Sequence, residues 1–100
     1  KKKNFKKPIT YSVIKSGVIG LTRYLSTYWS DQNVRTNAIC PGGIENNQNP
    51  EFLKKIKKLI PLKRMANKND YNSTLLWMLS DYSSYLNGAV ISVDGGRTAW

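Results

Sequence analysis

The chain has 100 residues, one cysteine and no histidine, with 40% hydrophobic and 11% aromatic residues, a composition that suits one small globular domain and excludes an internal disulfide or a zinc staple. The formal net charge of +10 raises nucleic-acid binding, but twelve of the sixteen basic residues fall in two clusters, five in 1–10 and seven in 51–68, and lysine outnumbers arginine twelve to four; with no nucleic-acid motif beside them, they read as a solvated lysine-rich surface. No apolar run of about 18 residues and no secretory leader pattern occurs, so no membrane partner is expected and a cytoplasmic location is.

Lys1 to Pro8 is polar, basic and ends on proline, which reads as a loop, and Thr10 is a candidate cap for the element that follows. From Tyr11 to about Trp29 the residues Ile14, Val18, Leu21 and Leu25 recur at spacings of four, three and four, the stripe of an amphipathic helix that Trp29 extends. Gly17 and Gly20 inside it each cost about 1 kcal/mol relative to alanine, which points to a backbone or ligand approaching closely there, with tolerated glycines in a well-packed helix as the equal alternative. Val34 to Cys40 is short and apolar, a buried strand that Pro41-Gly42-Gly43 ends.

Asn46 to Pro50 reads as loop. Phe52, Leu53, Ile56, Leu59 and Ile60 then define a second amphipathic helix, whose opposite face carries Lys54, Lys55, Lys57 and Lys58 and which stops at Pro61. Asn69 or Asp70 is the expected cap of a third helix, with Tyr71, Leu75, Met78 and Leu79 as its stripe up to about Ser80. Asn87-Gly88 makes a turn, Ala89 to Val93 a second buried strand, and Asp94-Gly95-Gly96 leads into a short tail. The order helix, strand, helix, helix, strand, with strands too apolar for a wet face, predicts an α/β fold with a parallel sheet. Two strands are too few for a sheet covered on both faces, so the chain reads as the end of a larger sheet.

Tyr11 and Lys15 stand four residues apart on the first helix, hence on one face and within reach of a shared ligand. Spacing alone proves little: with six tyrosines and twelve lysines, chance supplies about 0.7 such pairs. The surrounding residues add the meaning. Tyr11-Ser12-Val13-Ile14-Lys15 opens the helix, Asn37-Ala38-Ile39-Cys40-Pro41-Gly42-Gly43-Ile44 follows at the end of the next strand, and Val93-Asp94-Gly95-Gly96 lies near the C-terminus. In that order these segments resemble the short-chain dehydrogenase/reductase family, whose pattern is Tyr-x-x-x-Lys at a helix start, Asn-x-Ile-x-Pro-Gly after the next strand and a closing Val-Asp-Gly-Gly; the resemblance covers nearly all of residues 10–97.

The resemblance implies the C-terminal part of a Rossmann-like doubly wound parallel sheet, residues 1–100 being the C-terminal portion of one domain whose cofactor-binding half is expected upstream, together with the family's glycine-rich turn and catalytic serine. It implies an oxidoreductase that moves hydride between NAD or NADP and a small carbonyl or alcohol substrate. Tyr11 would be the proton donor and acceptor, since a nearby ammonium favours the phenolate, and Lys15 would supply that ammonium and hydrogen-bond the nicotinamide ribose. Pro41, Gly42, Gly43 and Ile44 would touch the nicotinamide, Ile44 through its backbone. Asn46 stands where the family usually has threonine and can still donate and accept.

No metal is implied. A homodimer or homotetramer is implied for the full-length form, and the chain alone is expected to be inactive. The alternative is a non-catalytic remnant or oligomerisation module that keeps the family's assembly surfaces. The lysine face of the second helix would suit an anionic substrate such as a nucleotide-linked sugar, with a solvated face as the plainer reading. The segments Cys40-Pro41-Gly42-Gly43, Arg64-Met65-Ala66-Asn67-Lys68 and Asp94-Gly95-Gly96-Arg97 with Trp100 are also similar to a bacterial subgroup acting in surface-sugar or flagellin-glycan biosynthesis.

Overall fold

The computed structural model describes residues 9–100; the loop expected over Lys1 to Pro8 lies outside them. Helix α1 spans Ile9–Tyr28, strand β1 Ala38–Pro41, helix α2 Pro50–Leu59, helix α3 Asn72–Leu79 and strand β2 Val90–Val93, with short 3-10 turns at Ser30–Gln32, Lys68–Tyr71 and Asp81–Ser83. The element order is the one the sequence predicts. β1 and β2 pair in parallel, with Ala38 opposite Val90 and Pro41 opposite Val93. The architecture is α/β with a parallel sheet.

β1 is shorter than the apolar run that predicts it: residues 34–37 reach the neighbouring segment through one backbone bond, the Gly88 N–H on the Thr36 carbonyl at 2.8 Å, and otherwise through side chains. Asn37 donates its amide to the Leu86 carbonyl at 3.0 Å and accepts from the Ala89 N–H at 2.9 Å. Asn87 in turn accepts from the Thr36 N–H at 3.0 Å and donates to the Ser26 carbonyl at 2.8 Å. The ladder proper begins with the Ala38 N–H on the Ala89 carbonyl at 2.8 Å and closes with the Gly42 N–H on the Val93 carbonyl at 2.9 Å. Pro41 therefore ends the ladder from inside it, at a position where its missing N–H costs nothing.

Arg35 fastens the far end of α3 to this edge. Its guanidinium donates to the carbonyls of Met78 and Ser80 at 3.2 Å each, to the Leu86 carbonyl at 3.1 Å and to the Ser83 hydroxyl at 3.3 Å. Met78 and Ser80 carbonyls sit at the C-terminal end of a helix, where carbonyls lack intrahelical partners and a cation is favoured.

Three helix-level expectations are corrected. Thr10 lies inside α1, which begins at Ile9, so it is not a cap, and the helix ends at Tyr28, before Trp29. The cap of the third helical segment is Asn67 and not Asn69 or Asp70: the Asn67 side chain accepts from the Asn69 N–H at 2.9 Å while Asp70 accepts from the Asn67 N–H at 2.7 Å, a capping box on the 3-10 turn that leads into α3. The stripe of α1 does not face the sheet, since Ile14 is 64% and Leu21 56% exposed. The helix meets the sheet layer through Thr22 and Ser26, both buried. A Cβ on Gly88 would stand 2.8 Å from the Ser26 Oγ, so glycine there lets the helix end approach closely. Around Gly17 and Gly20 nothing lies within 4 Å of an added Cβ, so no close approach occurs there among the described residues.

The buried apolar residues Ile60, Met65, Tyr71 and Met78 come from the end of α2, the connection that follows it, the 3-10 turn and α3. Of the α3 stripe only Tyr71 and Met78 are buried, and Leu79 is 83% exposed. The radius of gyration of 16.3 Å exceeds the roughly 13 Å typical of a compact 100-residue domain, which fits a long helix standing off a two-stranded sheet.

Replacing Arg35 with Met removes four hydrogen bonds from a charged donor and leaves helix-end carbonyls without partners. Urea denaturation of the full-length protein that contains these residues should show a loss of about 2 kcal/mol with an unchanged slope; an unchanged midpoint would show that the guanidinium does not hold α3 to the edge.

Candidate active site

The first turns of α1 present Tyr11 and Lys15 on one face, and the Lys15 Nζ lies 5.4 Å from the centroid of the Tyr11 ring, within cation–π range. Tyr11 is 43% exposed. Across from them stands the loop that leaves the C-terminal end of β1. A cavity of about 500 Å³ lies between, lined by Tyr11, Lys15, Pro41, Gly42 and Gly43 together with Cys40, Asp94 and Arg97. Five of the seven residues singled out from the sequence thus border one space. Ile44 and Asn46 follow in the same loop without lining it.

The loop is held almost wholly through its backbone. The Gly43 carbonyl accepts from the Ala66 N–H at 3.1 Å and the Glu45 N–H donates to the Ala66 carbonyl at 2.8 Å, an isolated parallel bridge centred on Ile44 and Ala66. Gln48 spans the turn, donating to the Ile44 carbonyl at 2.9 Å and accepting from the Asn46 N–H at 2.6 Å. Lys57 of α2 pairs with Glu45 at 3.3 Å, so one lysine of the basic face serves the loop. Glycine at 42 suits the packing: an added Cβ would lie 3.0 Å from the Asp94 Cα, tighter than ordinary contact.

A smaller cavity of about 220 Å³ lies behind the loop and shares Gly42, Gly43, Asp94 and Arg97 with the first, adding Ile60, Arg64, Met65 and Tyr71. The loop is therefore a partition between two spaces. Tyr71 passes its hydroxyl to the Gly42 carbonyl at 2.6 Å, and burial, followed by the charges of Asp70 and Asp94, pushes its phenol up from the usual tyrosine value. The sequence placed Tyr71 only in the apolar stripe of α3; the signal for more was that a buried tyrosine hydroxyl needs a partner.

Asp94 begins the turn after β2 and organises it. It accepts from the Thr98 hydroxyl at 2.6 Å, the Gly96 N–H at 3.0 Å and the Thr98 N–H at 3.3 Å. The Thr98 hydroxyl, helped by the Gly96, Thr98 and Arg97 amides against the opposing effect of burial, holds the Asp94 carboxyl below the ordinary carboxylate range. Among the described residues no helix is long and apolar enough to cross a membrane.

Comparison with known proteins agrees with this arrangement. The family model described as Enoyl-(Acyl carrier protein) reductase matches residues 1–98. The chain belongs to the short-chain dehydrogenase/reductase family. It is 36% identical over 92 residues to a 3-oxoacyl-(acyl-carrier-protein) reductase of Aquifex aeolicus, covering 88% of this chain and 37% of that protein. It is 35% identical over 100 residues to an NADH-dependent L-xylulose reductase of Ambrosiozyma monospora, covering 92% and 37%.

Among solved structures of the family, a short chain dehydrogenase from Leptospira borgpetersenii with bound NAD+ superposes with a TM-score of 0.89 at 34% identity, over 98% of this chain and 39% of that one. The chain spans about two fifths of the length of the family relatives it matches. Its two-stranded pair therefore corresponds to part of their Rossmann-fold sheet.

Because the folded-state carboxyl of Asp94 is lowered, its contribution to stability is full above the ordinary unfolded value of about 4 and fades as pH falls through the lower folded value. In acid titration of the full-length protein, Asp94→Asn should lower stability at neutral pH and flatten its decline below about pH 4. Parallel profiles for the two proteins would contradict that role.

Proposed function

We propose that this chain supplies the proton-handling part of a nicotinamide-dependent oxidoreductase acting on a small carbonyl or alcohol. The observation that carries the reading is Lys15 lying over the Tyr11 ring in the cavity walled by the Pro41-Gly42-Gly43 loop. A phenol beside an ammonium is suited to exchange a proton with a substrate oxygen, and a positioned group of this kind contributes about 10² to 10⁴ in rate. Lys15 presents its ammonium donors on the same face. NAD or NADP, when bound, would supply the hydride chemistry.

The loop suits such a ligand on its own terms. The Gly43 and Ile44 N–H groups have no hydrogen-bond partner among the described residues, while the neighbouring carbonyls of Gly42, Gly43 and Ile44 are all engaged. Two adjacent backbone donors at the carboxyl end of a parallel strand lie where open α/β sheets take their ligands. Pro41 and Gly42 set the turn, Gly43 and Ile44 would hold the nicotinamide, and Asn46, its N–H already occupied by Gln48, has its side chain left for the ligand. The glycine-rich pyrophosphate turn and the catalytic serine belong, in this reading, to a cofactor-binding part upstream of Lys1.

The lysine face of α2 favours an anionic substrate, a nucleotide-linked sugar being one such class, and assembly into a homodimer or homotetramer in the cytoplasm completes the reading. A non-catalytic assembly module is the second reading, and the exposed Ile14, Val18 and Leu21 of α1 favour it.

In the full-length protein, Tyr11→Phe should lower turnover at least about 100-fold while NAD(P)H binding changes less than about threefold. Turnover retained by that variant would remove Tyr11 from the acid/base role. A wild-type protein that self-associates yet binds no nicotinamide nucleotide would establish the assembly module instead.

A further inference from the structure

The hydrogen bond from Tyr71 to the Gly42 carbonyl joins residues 29 apart in sequence and comes from outside the motif residues of the loop. Tyr71 is only 7% exposed. It ends the 3-10 turn Lys68–Tyr71, which is braced on every side: Arg64 grips Asp70 in a two-pronged pair at 2.7 and 3.1 Å, and the Asn67 capping box closes the first turn. The Arg64 hydrogen bonds, with the Asn67 amide, hold the Asp70 carboxyl below the usual carboxylate range, so the brace stays ionised at neutral pH. The Tyr71 hydroxyl is thus delivered to one place, and its raised phenol keeps the proton it donates.

Peptide planarity gives that bond a consequence on the other side of the loop. The Gly42 carbonyl and the Gly43 N–H belong to one rigid trans unit and point in opposite directions. That unit lies between two glycines, which leave it unusually free to rotate. Fixing the carbonyl on Tyr71 therefore fixes the direction of the Gly43 donor. Tyr71 lines the cavity behind the loop and not the one that holds Tyr11 and Lys15, whereas Gly43 borders both. The next unit is held in the same manner, with Ala66 on the Gly43 carbonyl setting the Ile44 N–H.

We infer that Tyr71 is a positioning residue for the nicotinamide end of the cofactor: by holding the Gly42 carbonyl it aims the otherwise unpartnered Gly43 N–H away from itself, toward the Tyr11 and Lys15 side. This rests on the oxidoreductase reading above. Without the hydroxyl, the Gly42–Gly43 unit can turn over, which withdraws a donor from the ligand and leaves the loop's path otherwise intact.

The experiment compares binding of two nucleotides by the full-length protein: the reduced cofactor it prefers, NADH or NADPH, and the matching fragment without nicotinamide, ADP-ribose or its 2′-phosphate. Tyr71→Phe should weaken the cofactor about 5- to 10-fold, as expected for one misdirected hydrogen bond, and leave the fragment within about twofold. Met78→Ala, a core change away from the loop, should lower the melting temperature at least as much without that selective loss. Placing 4-aminophenylalanine at 71, which restores a donor, should recover cofactor affinity, and it serves as the test variant against 4-fluorophenylalanine should Tyr71→Phe fail to fold. Equal effects on cofactor and fragment, or none, would overturn the positioning role while the oxidoreductase reading stands. A wild-type protein that binds neither cofactor would overturn that reading, and this inference with it.

Discussion

The parallel pairing of Ala38–Pro41 with Val90–Val93 is the contact on which the other arrangements depend. It joins segments some fifty residues apart in sequence, so its loop-closure cost must be met by more than four residues of ladder. Asn37 and Asn87 extend it at one end, each using its amide as both donor and acceptor beside the Gly88–Thr36 backbone bond. At the other end Gly42 lies directly against Asp94. The ladder thereby fixes where the Pro-Gly-Gly loop leaves the sheet and where the Asp94 turn begins, and the walls of both cavities follow from those two points.

The loop gains its rigidity from elements that contribute no ligand-facing group of their own. Ala66 supplies two backbone bonds, Tyr71 one hydroxyl, Gln48 a bridging amide and Lys57 an ion pair with Glu45. The Gly42, Gly43 and Ile44 carbonyls are taken up by Tyr71, Ala66 and Gln48, which leaves the Gly43 and Ile44 N–H groups without a partner among the described residues. A donor-rich edge with Lys15 and Arg97 nearby is an environment for acceptor groups and anions. The hydrogen-bond donors around the cavity are thus backbone amides as well as the cations Lys15 and Arg97, with the Asp94 carboxylate beside them.

Features encoded by local chemistry were legible in the sequence. The 3.6-residue periods marked α1, α2 and α3, and the order of elements followed from them. The capping pattern Asn67-x-x-Asp70 was also present, but Asn69 and Asp70 are equally good capping types, and only the 3-10 turn before α3 decides among them. Features set by tertiary partners were not legible. Residues 34–37 carry strand-like residues and still lie outside the regular ladder, because Asn37 substitutes its side chain for the backbone and only the Thr36 carbonyl accepts a backbone bond, from Gly88. Of the residues that border the larger cavity, Tyr11, Lys15, Pro41, Gly42 and Gly43 were singled out by their motifs, whereas the Tyr71 contact was not: its stripe position looked like ordinary core, and the carbonyl it meets lies 29 residues away.

The contact between α1 and the sheet layer is precise but weak. Thr22 and Ser26 return their hydroxyls to carbonyls of their own helix, at 2.7 Å to Val18 and 2.6 Å to Arg23, which satisfies them without adding cross-links. Such small side chains bury little apolar area, at about 25 cal/mol per Å², while Ile14, Val18 and Leu21 remain exposed. Tyr11 lies eleven residues before Thr22, roughly 16 Å along the helix axis. The first turns of α1 therefore border the larger cavity well before the buried Thr22 and Ser26, while Ile14 and Val18 of the same stretch stay exposed.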